Sequence, residues 1–489
     1  MSDKSHCSYN NTHQGRRNFL KGAAGLGLLG TTALSAKSES IAKVVKGKGT
    51  AKNCIFLMVD GMGRGTLSIA NDYSKKHFGR ELNWIQLLKN KHVNTALQCT
   101  ASASSLVTDS AAAGSAWATG QRIPNGRINV TAEGRHLNPL FSRAKKQGKA
   151  IGLVTTTRIT HATPASFVSS VEDRDDEASI ARQYLKQEID VLIGGGARYF
   201  NDDSDALLKA FTKAGYTHAD TFDKLVRNEH SSKLLGLFSD SHIPYAIDRK
   251  HSSRYDHVPN LEAMFRVALS NLSQRESGFC LQVEAGRVDH AGHAQDIAAL
   301  IEEQLEFDRL IPIALEFVEQ QPDTLLIITT DHGTGGCQLN GYGAGYAGTN
   351  QTMDRISEIH ASYEFMAEAL ANPKNLNKEF FKSLMGIEMA DKDLSVVQSM
   401  LDKQYRIYPF GYRDKGAEHF QGFKRDYLAA NLGSYFQSYF AEHMGLAWTS
   451  DAHTSELVDL MALGTGSDLI PQYMENFELN GILRTALGI

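Results

Sequence analysis

The chain has 489 residues, of which 42% are hydrophobic and 22% charged, with a formal net charge of −4. These proportions are ordinary for a globular protein, and the slightly acidic balance gives no reason to expect nucleic-acid-specific binding, so any anionic substrate must be attracted by local charge. Length alone suggests about three domains, although large α/β enzymes often run as one.

The amino terminus reads as an address. GRRNFLKG, Gly15 to Gly22, precedes the apolar run AAGLGLLGTTALSA, which is too short to span a membrane as a mature helix. Arg16 and Arg17, followed by Phe19, Leu20 and Lys21, resemble a twin-arginine export signal, with small residues placing cleavage after Ala36 or Ala42. Residues 1–42 are therefore expected to be signal and linker. No other segment is apolar and long enough to span, so the mature protein is expected to be soluble in the periplasm or secreted. Cys7 would leave with the signal, and the spacing of Cys54, Cys99, Cys280 and Cys337 fits neither a zinc knuckle nor a redox CxxC pair. Export permits disulfides, while the strand-like runs around Cys54 and Cys280 equally suit inert buried thiols.

Short apolar runs follow in chain order: CIFLMVD near 54, AIGLVTTT near 150, VLIGGG near 191, FCLQVEA near 279 and TLLIITTD near 324. Between them lie helical patterns such as Ile297, Leu300, Ile301 and Leu305. Continuous rather than alternating apolar strands predict an α/β fold with a mostly parallel central sheet covered by helices on both faces. In such sheets ligands sit beyond the carboxyl ends of the strands. Those ends carry Asp60 in VDGMG, HATP after VTTT, Glu284, Asp289 and His293 in VEAGRVDHAGH, and Asp331 and His332 in TTDHG. One acidic strand end is commonplace; four with interleaved histidines point to a metal site. Asp289 and His293 are four apart, so one helical turn turns both towards one ion, and mixed oxygen and nitrogen donors suit zinc. An all-oxygen set such as Asp60, Thr163 and Glu284 suits magnesium.

Between the first two strand runs stands TDSAAAGSAWATG, Thr108 to Gly120. The small residues allow a close-packed helix, and Ser110 at its N-terminus would face free backbone N–H groups that favour a phosphate anion. As a nucleophile it would need a base or a metal to activate it. From about Asn340 to Trp448 strand alternation ceases and aromatics accumulate, among them Tyr342, Tyr346, Tyr405, Tyr408, Phe410, Tyr412, Phe436 and Tyr439. Residues 340–448 are therefore expected to form an inserted subdomain, with 43–339 and 449–489 as the catalytic domain.

DGMG, TDSAA, HATPA, GGGAR, VEAGRVDHAGH, TTDHG and DAHTSELV, in this order, make the chain resemble the alkaline phosphatase family. The resemblance implies a metal-dependent phosphomonoesterase acting on small-molecule phosphate monoesters, with Ser110 as the phosphorylated nucleophile. Asp60, Asp331 and His332 would hold a zinc beside Ser110, and Asp289, His293 and His453 a second zinc. One magnesium would be completed by Asp60, Thr163 and Glu284. Arg174, which alone would read as part of the solvated run EDRDDE, would grip non-bridging phosphate oxygens. His161 would lie near the magnesium and His290 near the phosphate, neither needed as a direct ligand. His332 and His453 are farther apart than in most relatives, and His360, His419 and His443 between them are alternative ligands. Insertions here form a crown near the dimer interface of relatives, which leaves room for a homodimer. Diester or sulfate ester hydrolysis is a competing expectation, but TDSAAAG lacks the CxPxR or SxPxR context of sulfatases. An exported phosphate-binding protein with a degraded site would lack some of these residues, and none is missing.

Overall fold

Every residue of strand β1 (Asn53–Val59) is buried in the computed structural model, which describes residues 49–402 and 424–489. Ile55, Leu57 and Val59 pack into the core on one face of the sheet, and Cys54, Phe56 and Met58 into the core on the other. A strand covered on both faces has no use for polar alternation, which explains the unbroken run CIFLMV. The same double burial shapes β3 (Ala150–Arg158), β7 (Phe279–Ala285) and β8 (Thr324–Thr330), where Arg158 alone is partly exposed.

The other members of the main sheet are β2 (Asn94–Cys99), β4 (Val191–Gly195), β5 (Tyr216–Ala219), β6 (Lys233–Leu237), β13 (Val458–Gly464) and β14 (Tyr473–Glu475). The ten strands run in the order β14-β2-β13-β8-β1-β7-β3-β4-β6-β5. β13 is antiparallel to both of its neighbours, and the remaining pairings are parallel. The expected mostly parallel α/β architecture is thus present. Adjacent strands β8, β1, β7 and β3 all end at one edge of the sheet, where the acidic and histidine-bearing turns meet.

The helical pattern around Ile297 is the helix Ile297–Asp308, capped by Asp296, which accepts a hydrogen bond from the Ala299 N–H at 3.1 Å. This helix is buried along its whole length, including its acids. Glu306 pairs with Arg249, Glu302 with Lys250, and Asp308 accepts from the backbone N–H groups of Asn83 and Trp84, so these buried charges have partners.

Two short strands, β10 (Gln338–Leu339) and β11 (Leu446–Ala447), pair antiparallel and close the base of a large insertion. Its described part is helical, including Thr352–Ile356, Tyr363–Ala369, Lys378–Met385, Asp391–Leu401 and Lys424–Met444. Met353, Tyr363, Phe381 and Phe436 belong to the same apolar core as Ile55 and Leu57, so the insertion extends one face of the central core. Phe436 stacks on Tyr363 at 5.8 Å between ring centroids, whereas Tyr346 is exposed. Tyr405, Tyr408, Phe410, Tyr412 and His419 lie outside the described residues, as does the amino-terminal segment with Cys7, Arg16 and Arg17. Cys54, Cys99, Cys280 and Cys337 are free thiols. No helix among the described residues is long and apolar enough to cross a membrane.

Candidate metal and phosphate site

Ser110 is the first residue of the helix Ser110–Thr119, and Asp109 is its N-cap. Asp109 Oδ1 accepts the Ala112 N–H at 2.8 Å, a cap worth about 1 kcal/mol. Its other oxygen accepts from the Gly126 N–H at 2.8 Å and from Arg174 Nη1 at 3.1 Å. One carboxylate therefore starts the serine's helix and anchors the arginine beside it. The small residues that follow serve close approach: a Cβ on Gly114 would come within 2.3 Å of Ser166 Oγ, on the short helix Ala162–Ser166 that carries Thr163.

The strand ends supply the remaining groups. Asp60 follows β1, Glu284 lies at the end of β7, and Asp331 and His332 follow β8. Asp289 and His293 sit one turn apart on the helix Arg287–His293. His453 opens β12 (His453–Thr454), which pairs with β9 (Gly333–Thr334) and so returns a distant part of the chain to the end of β8. Gly61 has φ +74°, and a Cβ there would lie 2.6 Å from Asp289 Cα. The glycine after Asp60 is what allows Asp60 and Asp289 to share this space.

Ser110 Oγ lies 3.3 Å from His332 Nε2, and that nitrogen is 3.2 Å from Asp331 Oδ2 and 3.6 Å from Asp60 Oδ1. His293 Nε2 lies 3.3 Å from Asp289 Oδ2 and 3.0 Å from His453 Nε2, which is itself 3.5 Å from Asp289 Oδ1. Thr163 Oγ1 is 3.4 Å from Asp60 Oδ2. His360 instead stacks on His251 and His443 on Tyr439, so of the described alternatives only His453 reaches Asp289. Backbone acceptors orient these two rings: the Nδ1 atoms of His293 and His453 meet the carbonyls of Asp451 and Thr108.

Asp60 Oδ1, Asp331 Oδ2 and both Glu284 oxygens are buried without a hydrogen-bond partner. Burial pushes Glu284 and Asp331 up to about 7, and burial together with the charges of Asp331, Asp289 and Glu284 raises Asp60 well above the carboxylate range. Unpaired buried carboxylates cost several kcal/mol unless a cation joins them, so the donor set fits metal binding. Among the described residues, three groups each have donor atoms within 4.8 Å of one another: Asp289 with His293 and His453, Asp60 with Asp289 and His332, and Asp60 with His161 and Glu284. Asp289 thus stands between two groups. His161, which the sequence reading keeps out of the ligand set, stands within reach of the third. Arg174 Nη2 lies 3.2 Å from His161 Nε2, and because a guanidinium only donates, that nitrogen is an acceptor here.

The ring of His290 packs edge-on against His161 at 5.6 Å and against His242 at 4.3 Å, a third histidine that no sequence pattern singled out. Thr334 was also missed: its hydroxyl donates to Asp289 Oδ1 at 2.6 Å and meets His332 Nδ1 at 3.3 Å, joining the group of His293 and His453 to that of His332.

Sheet and site together describe a metal-dependent hydrolase of the α/β class. The family profile described as alkaline phosphatase matches residues 51–489. Alkaline phosphatase 4 of Bacillus subtilis is 30% identical over 94% of this chain and 92% of its own length. Among solved structures, Thermus thermophilus alkaline phosphatase aligns with a TM-score of 0.80 at 36% identity, covering 90% of this chain and 92% of that one. The cold-active alkaline phosphatase of a Shewanella species aligns with a TM-score of 0.72 at 27% identity, covering 89% and 99%. The chain belongs to the alkaline phosphatase family and is a phosphoric monoester hydrolase.

Proposed function

We propose that this chain is an exported alkaline phosphatase that cleaves small-molecule phosphate monoesters through a phosphoserine at Ser110. Asp60, Asp331 and His332 would hold one zinc, Asp289, His293 and His453 a second, and Asp60, Thr163 and Glu284 a magnesium, following the donor chemistry of each set. Cations bound there would lower the pKa of an oxygen nucleophile and offset charge on the phosphoryl oxygens. Ser110 Oγ releases its proton to solvent and forms a bond to phosphorus as the ester P–O bond breaks in line, and the leaving oxygen takes a proton from solvent to depart as the alcohol. Water then bonds to phosphorus, the Oγ–P bond breaks, inorganic phosphate departs and Oγ regains a proton. Arg174 forks onto non-bridging oxygens, and the N-terminus of the serine's helix adds N–H donors.

The observation that carries this reading is the set of buried carboxylate oxygens of Asp60, Glu284 and Asp331 without hydrogen-bond partners, with His332 standing between Ser110 and the Asp60 and Asp331 carboxylates. Export by the twin-arginine route rests on Arg16 and Arg17, and suits an enzyme that takes up metal before translocation. In this reading residues 340–448 form the subdomain inserted in the catalytic domain, beside the interface of a homodimer. Acid quenching during turnover of labelled p-nitrophenyl phosphate tests the nucleophile: the parent should yield phosphoserine at Ser110 and Ser110→Ala none. Label on another serine would overturn the assignment.

A further inference from the structure

The helix Arg287–His293 opens on an arginine whose side chain is 2% exposed. Arg287 Nη2 lies 2.8 Å from Glu364 Oε2, on the inserted helix Tyr363–Ala369. The guanidinium lies over the Tyr245 ring, with Cζ 3.8 Å from its centroid, and the backbone N–H donates to Thr156 Oγ1 at 3.2 Å. Held on three sides, Arg287 places Nη1 2.8 Å from His290 Nδ1. A guanidinium has five N–H donors and no acceptor, so Nδ1 of His290 is the acceptor. A neutral imidazole carries a single N–H, which must then sit on Nε2. His290 packs on His161, and His161 accepts from Arg174, so the ring fixed by Arg287 stands one side chain from the arginine assigned to phosphate.

We propose that Arg287, clamped by Glu364 of the inserted region, is a positioning residue that fixes His290 as an Nε2–H donor to the bound phosphate. This rests on the phosphatase reading of Ser110 and Arg174. It gives the insertion a part in the reaction: one carboxylate reaches out of it and sets the tautomer of a histidine at the site. A purely structural ion pair would hold two elements together without controlling which nitrogen of His290 bears the proton.

The metal-loaded protein labelled with 15N-histidine tests this directly, with His290 assigned by loss of its signals in His290→Gln. The parent should show a protonated Nε2 and an unprotonated Nδ1. Arg287→Met should give a mixture of tautomers and raise the inhibition constant of inorganic phosphate about fivefold, with zinc content unchanged, as expected for one hydrogen bond made to a misdirected partner. Glu364→Gln should shift both readouts the same way by less, and it keeps the test available if Arg287→Met does not fold. A proton on Nδ1 in an active parent enzyme overturns this inference alone. Unchanged tautomer and phosphate inhibition in Glu364→Gln also overturn it. Absence of monoester turnover in the loaded parent, with the expected tautomer present, overturns the phosphate role together with the functional reading.

Discussion

Arg174 shows how little a local stretch can say about a residue. In EDRDDE it is one charge among many, yet its guanidinium is mostly buried between Asp109 and His161, at 3.1 and 3.2 Å. Asp109 is shared with the cap of the serine's helix, so the arginine and the serine are positioned by one carboxylate. A monoester dianion places two charges on its non-bridging oxygens and a diester only one, so losing the guanidinium should harm the monoester more. Arg174→Ala is expected to lower kcat/KM for p-nitrophenyl phosphate about tenfold or more. The checking quantity is the ratio of kcat/KM for the monoester to that for the bis-ester, with zinc content and Tm matched to the parent. An unchanged ratio would leave Arg174 only its structural part as the partner of Asp109.

Among elements, a helix of the inserted region packs closely against the end of the segment that carries Asp289 and His293. A Cβ added to Gly433, on the helix Lys424–Met444, would stand 1.9 Å from the Ala294 carbonyl oxygen, one residue beyond His293. Gly433→Ala should therefore push the two apart, costing about 1–3 kcal/mol in chemical denaturation, and should weaken zinc retention against a competing chelator. Stability lost with zinc retention intact would mean that the helix moves without the ligands. None of this was readable in the sequence, because the partners are far apart in the chain and carry no shared pattern. What was readable follows from burial. β1, β3, β4, β7 and β8 announce themselves as apolar runs because both of their faces are covered. β2 is half exposed along its length and reads as polar NTALQC, so it passed unnoticed. The donors at the strand ends were legible because carboxylates and histidines seldom cluster there by chance. Asp109, His242, Arg287 and Thr334 were not, since each acquires its part only through a tertiary neighbour.

At the scale of the molecule, the metal-free protein should be alkali-sensitive. Asp331 and Glu284 are pushed up to about 7 by burial, and His293, although burial opposes it, is held up to about 9 by the adjacent Asp289. Each folded value exceeds its unfolded one, so the native state holds extra protons and this stabilising contribution is lost as pH rises through the folded values. Burial instead depresses His332 to about 4 and His453 to about 3, and their cost to stability appears only below an unfolded value near 6.5. Asp331 and Glu284 lose their contribution by about pH 7, so from about pH 7 to about pH 9 His293 decides the sign, and Tm of the chelated protein should fall more steeply than that of the metal-loaded one. Calorimetry on both forms checks this, and parallel slopes would disprove it. The antiparallel strand of the main sheet has a different consequence. β13 fills the gap between β8 and β2, and among the described residues β2 meets the sheet only through β13 and β14. The strand that leads into Ser110 thus has no place in the sheet until Val458–Gly464 has been synthesised. A chain cut short before that point would bare the edge of β8 and leave β2 unpaired, two templates for aggregation. The strand that precedes the Ser110 helix can take its place only after residues 458–464 have been made, so a chain truncated before them should lack phosphatase activity.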